Sequence, residues 1–138
     1  MWPVTEFDLT LWADGSTRGM ITSSRTEIAE TIKGPGPLLA EVDAVLRQTG
    51  GRADVSLALL WLWYNGEGMA LVRLDEHCEH FARDPSRATI VGDVGGFPNG
   101  SGGSFAAPAA DVVTVQQAEQ VLTCWLSSGA WWPGLKWD

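Results

Sequence analysis

The sequence predicts an α+β domain in which helices pack on one face of an antiparallel β-sheet. Strand-like segments mostly follow one another through hairpin turns, and a regular strand–helix–strand alternation is absent. Two segments open with a capping-box pattern, which marks the start of a helix. With 138 residues, 45% of them hydrophobic, and no internal repeat or linker, we expect one domain spanning residues 1–138.

The N-terminal segment predicts a hairpin followed by a short helix. Residues 4–12 alternate between apolar and polar side chains, the period of a half-buried strand. After a turn that contains Gly, residues 18–21 can return as its partner. Ser24 and Glu27 have the spacing of a capping box, which predicts a helix that ends at Lys33.

Residues 37–48 predict a second helix. Pro is tolerated in a first helical turn, and a Gly-Gly pair follows the segment as a terminator. Five apolar residues recur at the spacing of one helix face: Leu38, Leu39, Val42, Val45 and Leu46.

The middle of the chain predicts the central hairpin of the sheet. Residues 55–63 and 69–74 are strand-like, and Asn65-Gly66 between them favours the positive φ angles of a tight turn. Both faces of the first strand are apolar, with leucines on one side and tryptophans on the other: Leu60, Leu62, Trp61 and Trp63. Burial on both faces is typical of a central strand.

The remaining segments predict one further strand, a loop, a helix and an edge strand. Residues 88–94 form a strand candidate. The Gly-rich run 92–103 is interpreted as a mobile surface loop, and the alternative is a contact loop with Phe97 and Phe105 as anchors. A capping box at residues 114–117 predicts an amphipathic helix that ends at Gly129. The last residues can add a short edge strand.

The charge balance indicates which partners the protein can meet. There are 17 acidic and 9 basic residues, and the net charge is −8. Such a surface disfavours nucleic acid and anionic membranes, and it suits a basic protein partner. The alternative is that the charge serves solubility alone. Two cysteines are too few to staple a secreted domain, and Glu6 and Asp8 interrupt any leader-like segment, so we expect a cytoplasmic protein.

The segment around Cys78 is the strongest candidate for chemistry. His77, Cys78 and His80 are residue types that bind zinc, but their spacing lacks the paired pattern of established zinc sites. His77-Cys78-Glu79 matches half of a zinc-deaminase motif, and the Pro-Cys-x-x-Cys half is missing. The carboxylates that flank Cys78 disfavour a reactive thiolate. We therefore predict a solvated hairpin end, with no catalytic residue, metal or cofactor.

Several patterns between residues 37 and 138 occur together. They are the Leu/Trp-rich hairpin 56–66, the segment 112–122 that opens the last helix, and the closing Ser128-Gly129, Pro133 and Leu135-Lys136-Trp137. In this combination the chain resembles the DddI-like immunity proteins (immunity protein family one) of bacterial polymorphic toxin systems. The Gly-rich run and the segment 77–80 depart from that family's pattern.

The resemblance implies an immunity protein that binds and inhibits a cognate toxin, in this family often a nucleic-acid deaminase, by covering a basic active-site cleft. The partner-binding residues we predict are four acids and two aromatic anchors: Asp75, Glu76, Glu79, Asp93, Trp131 and Trp132. Two alternatives remain. One is a metal-binding enzyme or small-ligand domain that uses His77, Cys78 and His80, and the other is a regulatory interaction domain without a toxin.

Overall fold

A computed structural model describes residues 4–13, 16–22, 24–33, 40–48, 59–76, 78–98 and 103–138. Its elements, in chain order, are β1 Val4–Ala13, β2 Ser16–Thr22, α1 Arg25–Lys33, β3 Ala40–Gln48, β4 Leu59–Tyr64, β5 Met69–Glu76, β6 Cys78–Arg83, β7 Asp93–Pro98, β8 Ser104–Pro108, β9 Val113–Thr114, α2 Val115–Ser128 and β10 Lys136–Trp137. Short 3-10 turns occupy Pro85–Arg87 and Ala109–Asp111.

The main sheet is antiparallel and has the order β10-β6-β5-β4-β3-β1-β2, with β9 beside the start of β5. The α+β class is thereby confirmed. The predicted central hairpin is the pair β4–β5, and it lies inside the sheet. Gly66 and Gly68 in its turn have φ angles of 75° and 86°, which glycine adopts without steric cost.

Both helices pack on one face of the sheet, as predicted. Phe7 and Leu9 of β1, Leu62 of β4 and Ile28 of α1 belong to one buried cluster with the apolar side of α2. The ring of Phe7 stands 6.3 Å from that of Trp125, at the centre of this cluster. Alternation along β4 and β5 sends every second side chain into this core.

A second, two-stranded sheet made by β7 and β8 covers the opposite face. Trp63 and Leu71 of the main sheet are buried there with Phe97 and Val112. The prediction of a surface loop over residues 92–103 is therefore wrong where the structure describes that run. Residues 99–102 lie outside the described residues.

Gly96 and Asn65 explain why a glycine-rich segment can form this layer. The φ angle of Gly96 is 86°, and a β-carbon there would stand 3.6 Å from Asn65. The Asn65 amide donates to the Gly95 carbonyl at 3.3 Å, and its oxygen accepts the amide hydrogens of Glu67 and Met69. The positive φ angle of Gly96 is therefore the feature that favours glycine in β7, and the Asn65 amide links this strand to the β4–β5 turn.

Three further predictions from the same region need correction. Phe97 is fully buried and Phe105 is half-buried against Trp63, so both rings belong mainly to the second core. The strand predicted over residues 88–94 is wrong, because a 3-10 turn and a tight turn precede β7, which begins only at Asp93.

The helix predicted over residues 37–48 is also wrong. Its described part, Ala40–Gln48, is strand β3, which lies between β1 and β4. The segment carries a period-two pattern as well as the helical one, since Ala40, Val42, Ala44 and Leu46 alternate with mostly polar residues. Backbone pairing with two neighbouring strands decides between the two periods, and local propensity does not.

The predicted capping box of α2 is confirmed in full, and that of α1 in its first half, because the Ser24 amide hydrogen goes to the Thr22 hydroxyl at 3.0 Å and not to Glu27. The Thr114 hydroxyl accepts the Gln117 amide hydrogen at 3.1 Å, and the Gln117 side chain accepts that of Thr114 at 2.8 Å. Gly129 ends α2 with a φ angle of 71°. Ser24 caps α1 by accepting the Glu27 amide hydrogen at 3.1 Å. Within the described residues, neither helix has the length and apolar character needed to cross a bilayer.

Candidate functional site

The end of the β5–β6 hairpin contains three of the six predicted partner-binding residues, Asp75, Glu76 and Glu79. In the register of this hairpin Asp75 lies opposite Glu79, and Glu76 lies opposite Cys78. His77, the residue between the two strands, lies outside the described residues. We call residues 75–80 the β5–β6 tip. It is the end of a hairpin, as predicted for this charged segment, but its second strand, β6, was not predicted.

The two faces of the tip carry different chemistry because side chains alternate along a strand. Leu74, which lies in the helix-side core, is the register partner of His80. His80 and Cys78 therefore belong to the helix side. Asp75 and Glu79, one position along, belong to the side covered by β7 and β8.

Asp75 is a carboxylate whose charge is already satisfied within the protein. Arg73 donates to its two oxygens from Nε and Nη2, both at 2.9 Å, and the Trp61 indole donates at 3.0 Å. The Arg73 and Asp75 side chains are each 22% exposed. A partner would meet Asp75 as a positioned acceptor more than as an open charge.

Glu79 is the outward charge on this face. Its side chain is 65% exposed, and its Oε1 is 3.7 Å from Arg73 Nη1. At that exposure the ion pair is screened by solvent and leaves the carboxylate accessible.

Two stacked tryptophans support this face. The rings of Trp61 and Trp63 are 5.6 Å apart and within 9° of parallel. The Arg73 guanidinium lies 4.9 Å from the centroid of Trp61 and 5.9 Å from that of Trp63. Arg73 is thus fixed by both rings and by Asp75, so the charged surface has a rigid base.

The helix side of the tip carries a thiol–imidazole pair. Cys78 Sγ lies 3.1 Å from His80 Nε2, and the Cys78 residue is exposed. The His80 ring packs against Trp131 at 4.7 Å, and Trp131 packs against Trp137 at 5.5 Å. Trp137 is held in turn, because its indole donates to the Trp132 carbonyl at 3.0 Å.

Trp131 and Trp132 are both half-buried against the helix-side core. A β-carbon at Gly134 would collide with the Trp132 ring, so this glycine allows the chain to fold over the indole. Trp131 reaches the β5–β6 tip through His80, on the face opposite Asp75 and Glu79. The structure therefore places the predicted aromatic anchors on the opposite side of the sheet from Asp75 and Glu79.

Asp93 lies away from the tip. It begins β7 and pairs with Pro108, beside the 3-10 turn Ala109–Asp111. Asp111 of that turn is 3.3 Å from Arg83, at the end of β6 remote from the tip. Asp93 is exposed, but it does not share a surface with Asp75 and Glu79.

Among the described side chains, each arginine contacts a carbonyl or a carboxylate of the protein, whereas six acids are exposed. Arg25 donates to the Leu126 carbonyl, Arg87 donates to the Ala109 carbonyl, and Arg83 lies 3.3 Å from carboxylates of both Asp111 and Asp138. The exposed acids are Glu27, Glu30, Glu67, Glu79, Asp93 and Asp138, whereas Lys136 is the exposed base. Among the described residues, exposed acids therefore outnumber exposed bases.

Sequence reasoning missed Arg73, Trp61 and the pairing of His80 with Trp131. The first two could have been found, because Arg73 and Asp75 are two apart on one strand and so share a face. The contact between residues 80 and 131 joins segments that are distant in the sequence, and no local sequence pattern predicts it.

The residues considered for a metal are only partly brought together. Cys78 and His80 are in contact, and His77 lies outside the described residues. In the part of the chain that the structure describes, no group of three or more His, Cys, Asp or Glu side chains has the arrangement of a metal site.

Comparison of the chain with protein-family models, with curated proteins and with solved structures found no match in any of the three. The interpretation of the site therefore depends on its own geometry and charge.

Proposed function

We propose that this protein is an immunity protein that binds a basic toxin domain and blocks its active-site cleft. It acts by binding, without catalysing a reaction, in the cytoplasm of the producing cell. The observation that carries the proposal is the orientation of charge, with described arginines engaged internally and exposed acids on the outside. A nucleic-acid-processing toxin presents cations for phosphates, and an acidic surface can occupy that place.

The β5–β6 tip is the surface that we propose for contact. Glu79 supplies an accessible carboxylate, and Asp75 is a positioned acceptor on a rigid base of Arg73 and Trp61. A preorganised surface loses little side-chain entropy on binding, which favours tight association. Trp131 lies behind the opposite face of the same tip.

The two cysteines agree with a reducing compartment. Cys78 is exposed, Cys124 is half-buried, and neither forms a disulfide. An exposed unpaired thiol is ordinary in the cytoplasm, where thiols are kept reduced.

The test measures association with the protein encoded by the adjacent gene, which is where a cognate toxin is expected. The variant is Glu76→Lys/Glu79→Lys. Its matched control is Glu27→Lys/Glu30→Lys in α1, which changes the net charge equally but lies near β2, at the other edge of the sheet. We expect the tip variant to associate about tenfold more slowly at low salt and the control to change far less. The difference should shrink at high salt.

Two results would contradict the proposal. Equal slowing by both variants would assign the effect to net charge alone and remove the tip from the interface. Absence of a complex with the adjacent gene product, together with no protection of cells that express it, would remove the toxin as partner.

A further inference from the structure

We infer that Cys78 is a nucleophilic thiol, activated by His80, that forms mixed disulfides with low-molecular-weight disulfides. The Cys78 residue is exposed, and its sulfur lies 3.1 Å from His80 Nε2. A nucleophile within hydrogen-bond reach of a base, with the base oriented by a third group, is the arrangement that activates thiols in proteins.

The strand itself imposes the pairing. Cys78 and His80 are two residues apart on β6, so they share a face and their side chains are neighbours without any special turn. Their position at the start of β6, opposite Glu76 and Leu74 of β5, fixes the backbone on which both stand.

Trp131 is the group that orients the base, His80. Its ring packs on the imidazole at 4.7 Å, and Trp137 packs on Trp131 at 5.5 Å. The hydrogen bond from the Trp137 indole to the Trp132 carbonyl fastens this row of rings to the chain that leads into β10. The imidazole is therefore held where its Nε2 meets the sulfur.

The negative charge beside Cys78 in the sequence is turned away from it. Glu79 belongs to the other face of β6, where it lies 3.7 Å from Arg73. Alternation of side chains along the strand therefore removes Glu79 from the surroundings of this thiol, whereas Glu76 remains opposite Cys78 as its register partner.

The reaction is a thiol–disulfide exchange. The Cys78 proton passes to His80 Nε2 as the sulfur attacks one sulfur of the small disulfide. A new sulfur–sulfur bond forms while the bond within the small disulfide breaks, and the departing thiolate takes up the proton from His80. One protein thiol and one disulfide become a mixed disulfide and one small thiol, so no further oxidant is needed.

The test follows the reaction with an aromatic disulfide reagent that releases a coloured thiolate. Cys124→Ser leaves Cys78 as the single thiol, and Cys78→Ser leaves Cys124 as its matched control. An isolated thiol is only a few per cent ionised at neutral pH, so an effective base leaves room for a rise of about tenfold. We expect Cys78 to react about tenfold faster than N-acetylcysteine, and His80→Gln to remove most of that gain.

The reaction rate in urea separates activation of the thiol by His80 from simple exposure of the thiol. In urea the contact with His80 is lost while access increases, so the rate for Cys78 relative to N-acetylcysteine in the same urea should fall. A merely exposed thiol would keep or raise its relative rate. The inference is overturned if His80→Gln, with unchanged thermal unfolding, reacts as fast as the parent, or if Cys78 slows no more than N-acetylcysteine in urea.

Discussion

The guanidinium of Arg73 donates to both carboxylate oxygens of Asp75, at 2.9 Å in each case, while it lies over the stacked rings of Trp61 and Trp63. The Trp61 indole donates to the same carboxylate at 3.0 Å. One charge pair thus connects the polar surface of the β5–β6 tip with the aromatic layer beneath it.

We predict that Arg73→Leu destabilises the fold. The substitution removes a two-point ion pair and its cation–π contacts, and among the described residues it leaves Asp75 with the Trp61 indole as its side-chain donor. The expected loss is about 2 kcal/mol in the free energy of unfolding, measured by urea denaturation. Lys136→Gln, at an exposed base, should change it by less than about 0.5 kcal/mol.

A double-mutant cycle isolates the pair. Asp75→Asn should cost less in the Arg73→Leu background than in the parent protein, because the partner charge is already absent. Additive effects of the two substitutions would contradict a direct coupling.

The single tyrosine provides a pH-dependent reporter. Burial, and secondarily the charge of Glu119, raise the pKa of Tyr64 well above its ordinary value of 10.0. The unfolded chain releases this proton first as the pH rises, so the stability contributed by the neutral phenol is complete below pH 10.0 and is lost above it. We expect tyrosinate absorbance to appear only with alkaline unfolding, whereas the chain in guanidinium chloride titrates near 10.0.

A tyrosinate signal that develops near 10.0 while circular dichroism still reports the folded state would contradict the burial of Tyr64. Circular dichroism recorded on the same samples makes the comparison direct.

The pKa of Asp84 is shifted in the opposite direction, downward. Hydrogen bonds from the Gln117 side chain at 2.9 Å, and then from Ser86, hold the pKa of this carboxyl below its ordinary 3.8. Its ionised form therefore stabilises the fold above pH 3.8, and that contribution is lost as the pH falls through the lowered value. NMR titration should place the midpoint below 3.8 in the parent and closer to it in Gln117→Ala. An unchanged midpoint in that variant would assign the shift to other donors.

Thr114→Ala should weaken the start of α2. The hydroxyl that accepts the Gln117 amide hydrogen is lost, and one donor at the helix terminus loses its partner. We expect about 1 kcal/mol less stability to urea. Thr123→Ala is the control, because that exposed hydroxyl donates only to the Glu119 carbonyl within the helix, and its loss should cost a few tenths of a kcal/mol. Equal losses would show that the cap contributes nothing specific.

The elements that the sequence predicted correctly depend on local signals. Asn65-Gly66 sets the β4–β5 turn, and Thr114 with Gln117 sets the start of α2, each through bonds within a few residues. Strand β3 was missed because its identity comes from pairing with β1 and β4, which are distant in the sequence. The β7–β8 layer was missed because the glycine run suggests a loop, whereas Gly96 adopts its positive φ angle within strand β7.

The site was predictable to a similar extent. The charged segment was predicted as a hairpin end and lies at one, but strand β6 was not predicted. Asp75 and Glu79 are register partners, whereas Glu76 is the partner of Cys78. Trp131 reaches the β5–β6 tip through its contact with His80, and Asp93 is placed elsewhere by the path of the chain from β6 to β7. Which face a residue occupies follows from alternation, but which segments meet follows from the topology of the whole sheet.

The brevity of β10 has a consequence for behaviour at high concentration. In the described part of the chain, β10 borders β6 at Ala82 and Arg83, and Asp138 exchanges two backbone hydrogen bonds with Phe81. Only the first three residues of β6 are left at that rim, and one of them is the charged Glu79. This exposed sheet edge is short and polar, so it is a poor template for the addition of strands from other molecules. We expect concentrated solutions to resist amyloid-type assembly along this edge.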